Sequence, residues 1–316
     1  MKISVVIPVY NGMRTIEKTL QSVFAQTLKA DEIILLNDGS TDDTPAFLSS
    51  YSSHIKLFHQ SNTGVAGARN FLCRQASGEL IAFLDQDDVW HPKYLEKQYI
   101  LHKLYPEAAA FFVGHVNFEG YRDFVWNDLG VSHIDRPEMI ADIEFVRRYN
   151  RNTGLFASMS YCCVPKRILR AMGEEPFRYS GVDDSYLCTV LPLLGCPVIY
   201  CPEVLVAYRV TSEAQSADRL KMFGLWVKVF EFLSDRYEQQ PRADLAEAFR
   251  EAFSSKRRAY GKILLGAGRT SEARAQFRRS LANSRTIASR SKSLGLLCLS
   301  GLPHAISPRW PLAVRN

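Results

Sequence analysis

The chain has 316 residues, 47% hydrophobic and 23% charged, a length for one large domain with an appendage or for two domains, and a composition that excludes wholesale disorder. Its net charge of +6 conceals a division: residues 1–216 carry 20 Lys and Arg against 25 Asp and Glu, whereas residues 217–316 carry 19 against 8. The seven cysteines lack metal-site spacing and read as reduced, small apolar side chains of a reducing compartment; Met1 leads straight into an apolar run, without a signal-peptide pattern.

Ile3–Val9 is the first expected strand. Asn11 is placed to cap a helix in which Ile16, Leu20, Val23 and Phe24 share a face. A strand over Glu32–Leu36, a short helix over Thr41–Tyr51, a strand over Ile55–Phe58 and a helix over about Val65–Ala76 follow. Leu80–Leu84 is the fourth strand, and a helix runs from Pro92 to about Leu104. Strands alternating with helices make βαβ units and a doubly wound, mainly parallel α/β sheet. Residues 108–150 are less regular and rich in aromatics, including Phe111, Phe112, Phe118, Tyr121, Phe124 and Trp126; they read as a strand, loops and a helix near Ile140–Tyr149. Met159–Val164 is a strand, Pro165–Met172 a helix closed by Gly173, Asp184–Leu194 a helix and Pro197–Tyr200 a strand. From Lys221 the pattern is helical. Phe223, Trp226, Val227 and Phe230 share one face, and Leu245, Phe249 and Phe253 suit a second helix. Tyr260–Leu265 and Ser271–Leu281 form a helix–turn–helix pair about Gly266–Arg269. The change of charge and pattern near Ser216 marks a domain boundary.

Ligands of such sheets bind beyond the carboxyl ends of the strands. Tyr10 with Asn11, Asn37 to Ser40, and Asp85 to Asp88 all fall on that edge. Asp85-Gln86-Asp87-Asp88 packs three carboxylates into four residues, which is costly without a positive partner. A divalent cation bridging a diphosphate suits them, because hard cations take carboxylate and phosphate oxygens. The competing reading is an acidic turn in which Asp88 caps the next helix. Asp38 is able to accept the imide N–H of uracil beside the flat surface of Tyr10, or else Asp38-Gly39 is simply an Asx-type turn. In Gly64-Val65-Ala66-Gly67-Ala68-Arg69-Asn70, the small residues let a helix start approach a ligand and Arg69 is able to reach an anion, or else the small residues simply serve helix packing. Asp183-Asp184 opens a helix, where acids complement the dipole. Two adjacent carboxylates also repel, and a raised pKa suits a general base.

Taken in order, these pieces resemble a family 2 glycosyltransferase of GT-A fold over about residues 1–216. The resemblance rests on Val5-Val6-Ile7-Pro8-Val9-Tyr10-Asn11, Asn37 to Thr44, Asn62 to Asn70, Gly78-Glu79 leading into Asp85-Gln86-Asp87-Asp88, Asp183-Asp184 with Leu187, and Tyr200-x-Pro202 before Tyr208-Arg209. It implies that Val9, Tyr10 and Asp38 hold the base and that Arg69 assists at the nucleotide or diphosphate. It implies Asp87 as the direct metal ligand with Asp85 as its partner near ribose or metal, and Asp88 as support for the donor sugar or the loop. The metal would be Mn²⁺ or Mg²⁺. Asp184 matches the general base and Asp183 the acid before it. The chain departs from the family pattern at Asn37, where Asp is common, at Asp183, where Glu is common, and at Thr211, where a His is frequent.

The implied activity is inverting, metal-dependent transfer from a nucleotide-sugar, a UDP-sugar first, to a hydroxyl of a glycan or lipid-linked acceptor in polysaccharide or cell-surface glycan synthesis. Residues 108–150 and the loop before Asp183 are the candidates for acceptor contacts; the alternative for the aromatics of 108–150 is plain core packing. Two alternatives stand beside it: a sugar nucleotidyltransferase, whose Gly-rich basic loop after the first strand is replaced here by Pro8-Val9-Tyr10-Asn11-Gly12, and a degenerate transferase serving as a membrane adaptor. Lys256–Lys292 holds 11 basic residues and one acid, and Leu294–Leu302 is apolar but too short to span a bilayer. A cytoplasmic protein with peripheral contact to an anionic membrane through 256–302 is the first reading of this tail, a homodimer or plain packing the second and nucleic acid the last.

Overall fold

The computed structural model describes residues 1–121, 123–126, 136–150, 158–211 and 218–301. The chain forms two compact units, Met1–Ala141 with Leu155–Ala214, and Asp142–Gly154 with Gln215–Asn316.

The first unit opens with β1 (Ile3–Val9), α1 (Ile16–Phe24), β2 (Glu32–Asp38), α2 (Thr44–Ser49), β3 (Lys56–Gln60), α3 (Gly64–Gln75) and β4 (Leu80–Phe83). β1 to β4 are parallel to their neighbours in the order β3-β2-β1-β4, and every residue of β1 and β4 is buried. Such continuous apolar strands need cover on both faces; α3 packs on β1 and β2. Asn11 does not cap α1. Its backbone is left-handed, with φ of 49°, and its side-chain oxygen accepts from the Thr41 N–H at 2.8 Å, so it joins the β1 loop to the β2 loop. α2 starts three residues later than expected because Asp42 takes the Thr44 N–H and Pro45 fixes the first turn.

β5 (Val89–Trp90), α4 (Tyr94–Leu104), β6 (Ala110–Glu119) and β7 (Glu138–Ile140) come next. α5 (Asp142–Asn150) belongs to the second unit. The chain then returns through β8 (Cys162–Pro165), α6 (Lys166–Ala171), α7 (Asp183–Val190) and β9 (Val198–Val210). β8 lies antiparallel between β4 and β6, β6 and β9 are parallel, and β5 and β7 pair antiparallel with opposite halves of β9. The sheet is thus mixed around a parallel core. Phe111 and Phe112 are core residues of β6, and Phe118 packs with Phe124 and Trp126 against Val89 and Ala207. The part of the expected acceptor region at 122 and 127–135 lies outside the described residues.

β9 continues ten residues beyond the strand end expected at Tyr200. Proline cannot donate to a ladder, so Pro202 reads as a stop. The chain solves this with a bulge: Val113 faces Cys201, Gly114 faces Val204, and His115 faces Val206. A Cβ on Gly114 would meet the Pro202 carbonyl oxygen at 2.4 Å, an unyielding backbone contact. Gly114→Ala is therefore expected to destabilise the fold by about 2–3 kcal/mol in urea denaturation; an unchanged midpoint would mean that the bulge relaxes freely.

In the second unit α5, α8 (Arg219–Glu238), α10 (Thr270–Asn283) and α11 (Ile287–Leu299) each pack on α9 (Ala243–Gly266). The boundary expected near Ser216 leaves α5 on the side of the sheet. Its partners lie in the helical unit, because Arg242 binds Asp142 and the Lys256 ammonium sits between the rings of Trp226 and Tyr149. α9 is one continuous helix of 24 residues where two were expected; Leu245, Phe249, Phe253 and Leu264 keep one buried face across the polar stretch Ser254–Arg258. Phe230, Tyr237, Phe249 and Phe253 stack as its core. Gly261 admits the Phe277 ring edge, which a Cβ would meet at 2.4 Å.

Candidate active site

Asp85 to Asp88 follow β4 as a turn held from four directions. The Gln86 side-chain amide clamps Tyr10, accepting its N–H at 2.8 Å and donating to its carbonyl at 3.0 Å. Thr19 of α1 donates to the carbonyls of Gln86 and Asp88, both at 2.9 Å. From the turn before β8, the Ser160 hydroxyl accepts the Asp85 N–H at 3.0 Å and the Ser158 hydroxyl reaches Asp85 Oδ2 at 3.2 Å. From β9, Arg209 donates its backbone N–H to Asp88 Oδ1, its Nε to the Asp87 carbonyl and an Nη to the Gly120 carbonyl.

Asp88 does not cap a helix. It is buried, α4 begins at Tyr94 after an uncapped Lys93, and one Asp88 oxygen, Oδ2, has no hydrogen-bond partner. Burial, then repulsion from Asp87 and Asp85, pushes its carboxyl well above the usual range. Burial and Asp85 likewise raise Asp87 to about 6. Asp87 has no ion-pair partner among the described residues, whereas Asp85 is bound to Arg69 and Ser158.

The Arg69 side chain is 5% exposed and forks between Asp85 and Asp183, one Nη to each. It thus ties the acidic turn to the start of α7. Asp183 is buried in that ion pair, while its neighbour Asp184 keeps part of its surface open. Burial raises Asp184 to about 6; Asp85 adds to the rise, and hydrogen bonds from Ser185 together with Arg69 oppose it. The adjacent pair therefore divides into a charge-paired acid and an open one whose proton affinity suits a base near neutral pH.

On the β1–β2 side, Val9 is buried at the end of β1 and Tyr10 is 44% exposed. Asp38 ends β2 and is buried; its Oδ1 accepts from Gln60, the Thr63 N–H and the Thr63 hydroxyl, which fixes the start of α3. Asn37, in place of the family's usual Asp, pairs with His59 at 3.1 Å. Thr211 directly follows β9 and is half-buried. The motifs passed over Ser158, Ser160 and Tyr161, and gave Gln86, inside the acidic motif, no role. Tyr161 stacks on His115 at 4.2 Å and meets Tyr208 edge-on, and both phenols are raised by burial and then by the carboxylates. Only Tyr208 carried a sequence signal, through its place in Tyr208-Arg209.

The acidic turn fits a hard divalent cation. Three carboxylates, Asp88 buried and Asp85 and Asp87 half-buried, repel one another there, one Asp88 oxygen is orphaned, and the donors are all oxygen. Among the described residues no three ligand-type side chains converge on one point. Mg²⁺ and Mn²⁺ commonly complete such a shell with phosphate and water.

The family model described as glycosyl transferase family 2 matches residues 4–172, more than half of the chain. The chain belongs to glycosyl transferase family 2. Among curated relatives of this family 2 chain, the glycosyltransferase GlyA of Streptococcus pneumoniae is 31% identical over 220 residues, covering 66% of the chain and 30% of GlyA. An uncharacterised glycosyltransferase of Rickettsia typhi is 37% identical over 114 residues, 36% of each protein. The chain thus matches about a third or less of the length of these relatives. Among solved structures, S. aureus TarS 1–349 in complex with UDP-GlcNAc superposes with a TM-score of 0.70 at 12% identity, over 95% of this chain and 90% of that one. The mannosyltransferase PcManGT of Pyrobaculum calidifontis, in complex with GDP-Man and Mn²⁺, gives 0.59 at 19% identity, over 93% and 79%. At these identities the likeness is one of fold, and it is the GT-A fold. Among the described residues no helix is long and apolar enough to cross a membrane.

Proposed function

We propose that this family 2 chain is an inverting, metal-dependent glycosyltransferase that moves a sugar from a nucleotide-sugar, a UDP-sugar first, to a hydroxyl of a glycan or lipid-linked acceptor in polysaccharide or cell-surface glycan synthesis. The reading assigns the transfer to residues 1–216 and places the protein in the cytoplasm, with 217–316 as an appended helical region. The single observation that carries it is the link between the two ends of the site: Arg69 joins Asp85 of the acidic turn to Asp183, beside the open Asp184.

A bound Mn²⁺ or Mg²⁺ would neutralise the leaving diphosphate, with Asp87 as its direct ligand and Asp85 beside it. Tyr10, Val9 and Asp38 hold the base, and the Gln86 clamp keeps Tyr10 in register with the acidic turn. Asp184 takes the proton of the acceptor hydroxyl as its oxygen forms the new bond to the anomeric carbon. The bond from that carbon to the diphosphate breaks on the opposite face, so a single displacement inverts the configuration. Asp88 holds Arg209 and the turn from beneath. The GDP-Man complex of PcManGT makes a guanine donor the second candidate.

A thermal-shift screen of nucleotide-sugars with Mn²⁺ and Mg²⁺ tests donor class and metal together. Asp87→Asn is expected to abolish metal-dependent stabilisation by the donor. The same variant is expected to melt on the order of 3 °C above the wild type in metal-free buffer at pH 7. The native Asp87 is raised from 3.8 to about 6, so the stability of its neutral form is present below pH 4 and lost as pH rises through about 6. Asn keeps that neutral form, and the difference should vanish at pH 4. A wild type more stable than Asp87→Asn at pH 7 without metal would sink this reading of the turn.

A further inference from the structure

α11 is amphipathic in the reverse sense. A surface helix ordinarily buries its apolar stripe and exposes its polar one. Here Ser289 and Ser293 face the interior of the helical unit together with Leu296. The inward serines are held by polar contacts: Arg258 donates to Ser289 at 2.8 Å and to Ser280 and Ser293 at 3.3 Å, and Ser284 bonds Ser289 at 3.0 Å. Ile287 is 85% exposed and Leu294 51% exposed, and Cys298 is exposed as well. At 100° per residue, positions 287, 294 and 298 fall within about 40° of one another, in a single outward stripe. Arg290, exposed, lies about 40° from Leu294 at one edge of the stripe, and Lys292, also exposed, stands about 120° beyond Cys298 on the other side.

We infer that this face of α11 lies on an anionic lipid bilayer. Apolar side chains that no core needs, with a cation at their edge, match the acyl boundary and the head groups of such a surface. The exposed charges of this helix and its start are of one sign: Arg285, Arg290 and Lys292 are exposed, and α11 carries no acid. The Glu251 carboxylate at the start of the helix accepts from the N–H groups of Arg285 and Thr286. The helix would lie along the surface, being 13 residues long and so unable to span it. This surface is independent of the reaction proposed for the first unit.

Co-sedimentation of the full chain with vesicles tests the inference. Recovery is expected with vesicles of phosphatidylcholine and phosphatidylglycerol at low salt, with release at high salt and little recovery on phosphatidylcholine alone. Ile287→Glu/Leu294→Glu should lower partitioning by about tenfold or more, and Arg290→Glu/Lys292→Glu should lower it to a similar degree. Both pairs are exposed, so the melting temperature should stay at the wild-type value. Three results would overturn the inference: no recovery on either vesicle at low salt, equal recovery on both, or undiminished recovery of the Ile287→Glu/Leu294→Glu variant. A dimer in solution that the same variant splits, without vesicle binding, would assign the face to a second copy and overturn it equally.

Discussion

Asp184→Asn is expected to lower the rate of transfer by about a hundred- to ten-thousandfold, the range a positioned general base contributes, while metal-dependent nucleotide binding stays at the wild-type level. The split follows from geometry. Asp184 stands at the start of α7 with part of its surface open, and Asp183 rather than Asp184 carries the link to the acidic turn. On the proposed reading, removing the charge of Asp184 therefore takes away the proton acceptor and leaves the acidic turn assembled. The pH profile supplies a second readout. Asp184 acts only when ionised, so kcat/KM of the wild type should fall as pH drops through a limb at or below about 6, a bound cation drawing that limb downward. The variant should lack the limb. Near-normal turnover of Asp184→Asn on a true acceptor would reassign the base, and transfer lost together with nucleotide binding would make Asp184 a structural residue.

Arg69→Ala is expected to cost about 3–5 kcal/mol of stability, the penalty for leaving a buried charge without its partner. Arg69 and Asp183 are both nearly inaccessible, and the Arg69 Nε already lacks a hydrogen-bond partner, so no spare interaction compensates. The sign of the second-site effect separates this mechanism from simple loss of packing. Asp183→Asn introduced into Arg69→Ala should restore part of the stability, because it removes the stranded charge. Urea denaturation of the two variants measures it. A loss within about 1 kcal/mol for Arg69→Ala, typical of exposed ion pairs, or a further loss in the double variant, would show that the pair is not the buried link described.

Much of the architecture was legible because it is written in local pattern. The apolar runs of β1 and β4, and the helical spacing of Ile16, Leu20 and Val23, announce themselves within a few residues of chain. The polar ends of β1, β2 and β4 then fall on one edge by topology alone. What escaped was non-local. The Arg69–Asp183 pair joins residues 114 apart, and no spacing rule couples them. Ser158 and Ser160 lie on a short turn without a signature, yet they hold the backbone and side chain of Asp85. β9 past Pro202 was hidden because the rule that proline ends a ladder is sound, and Gly114 on the facing strand is what circumvents it. Asn11 shows the converse failure: a good capping residue was recruited to bridge two loops instead.

The four-way anchoring of the acidic turn has a kinetic consequence. β1, α1, the turn before β8 and β9 each hold it by hydrogen bonds, so its geometry is set when the protein folds and not when a donor arrives. On the proposed reading, the entropy of ordering the turn is then absent from the binding step, and charge stabilisation would be preorganised where the leaving group develops it. Donor capture should consequently be a single fast association at this end of the site, without a slow isomerisation of the turn. Attempts to change donor choice by substituting Asp85, Gln86 or Asp88, whose side chains anchor the turn, would loosen it before they altered preference; the adaptable positions are those around it.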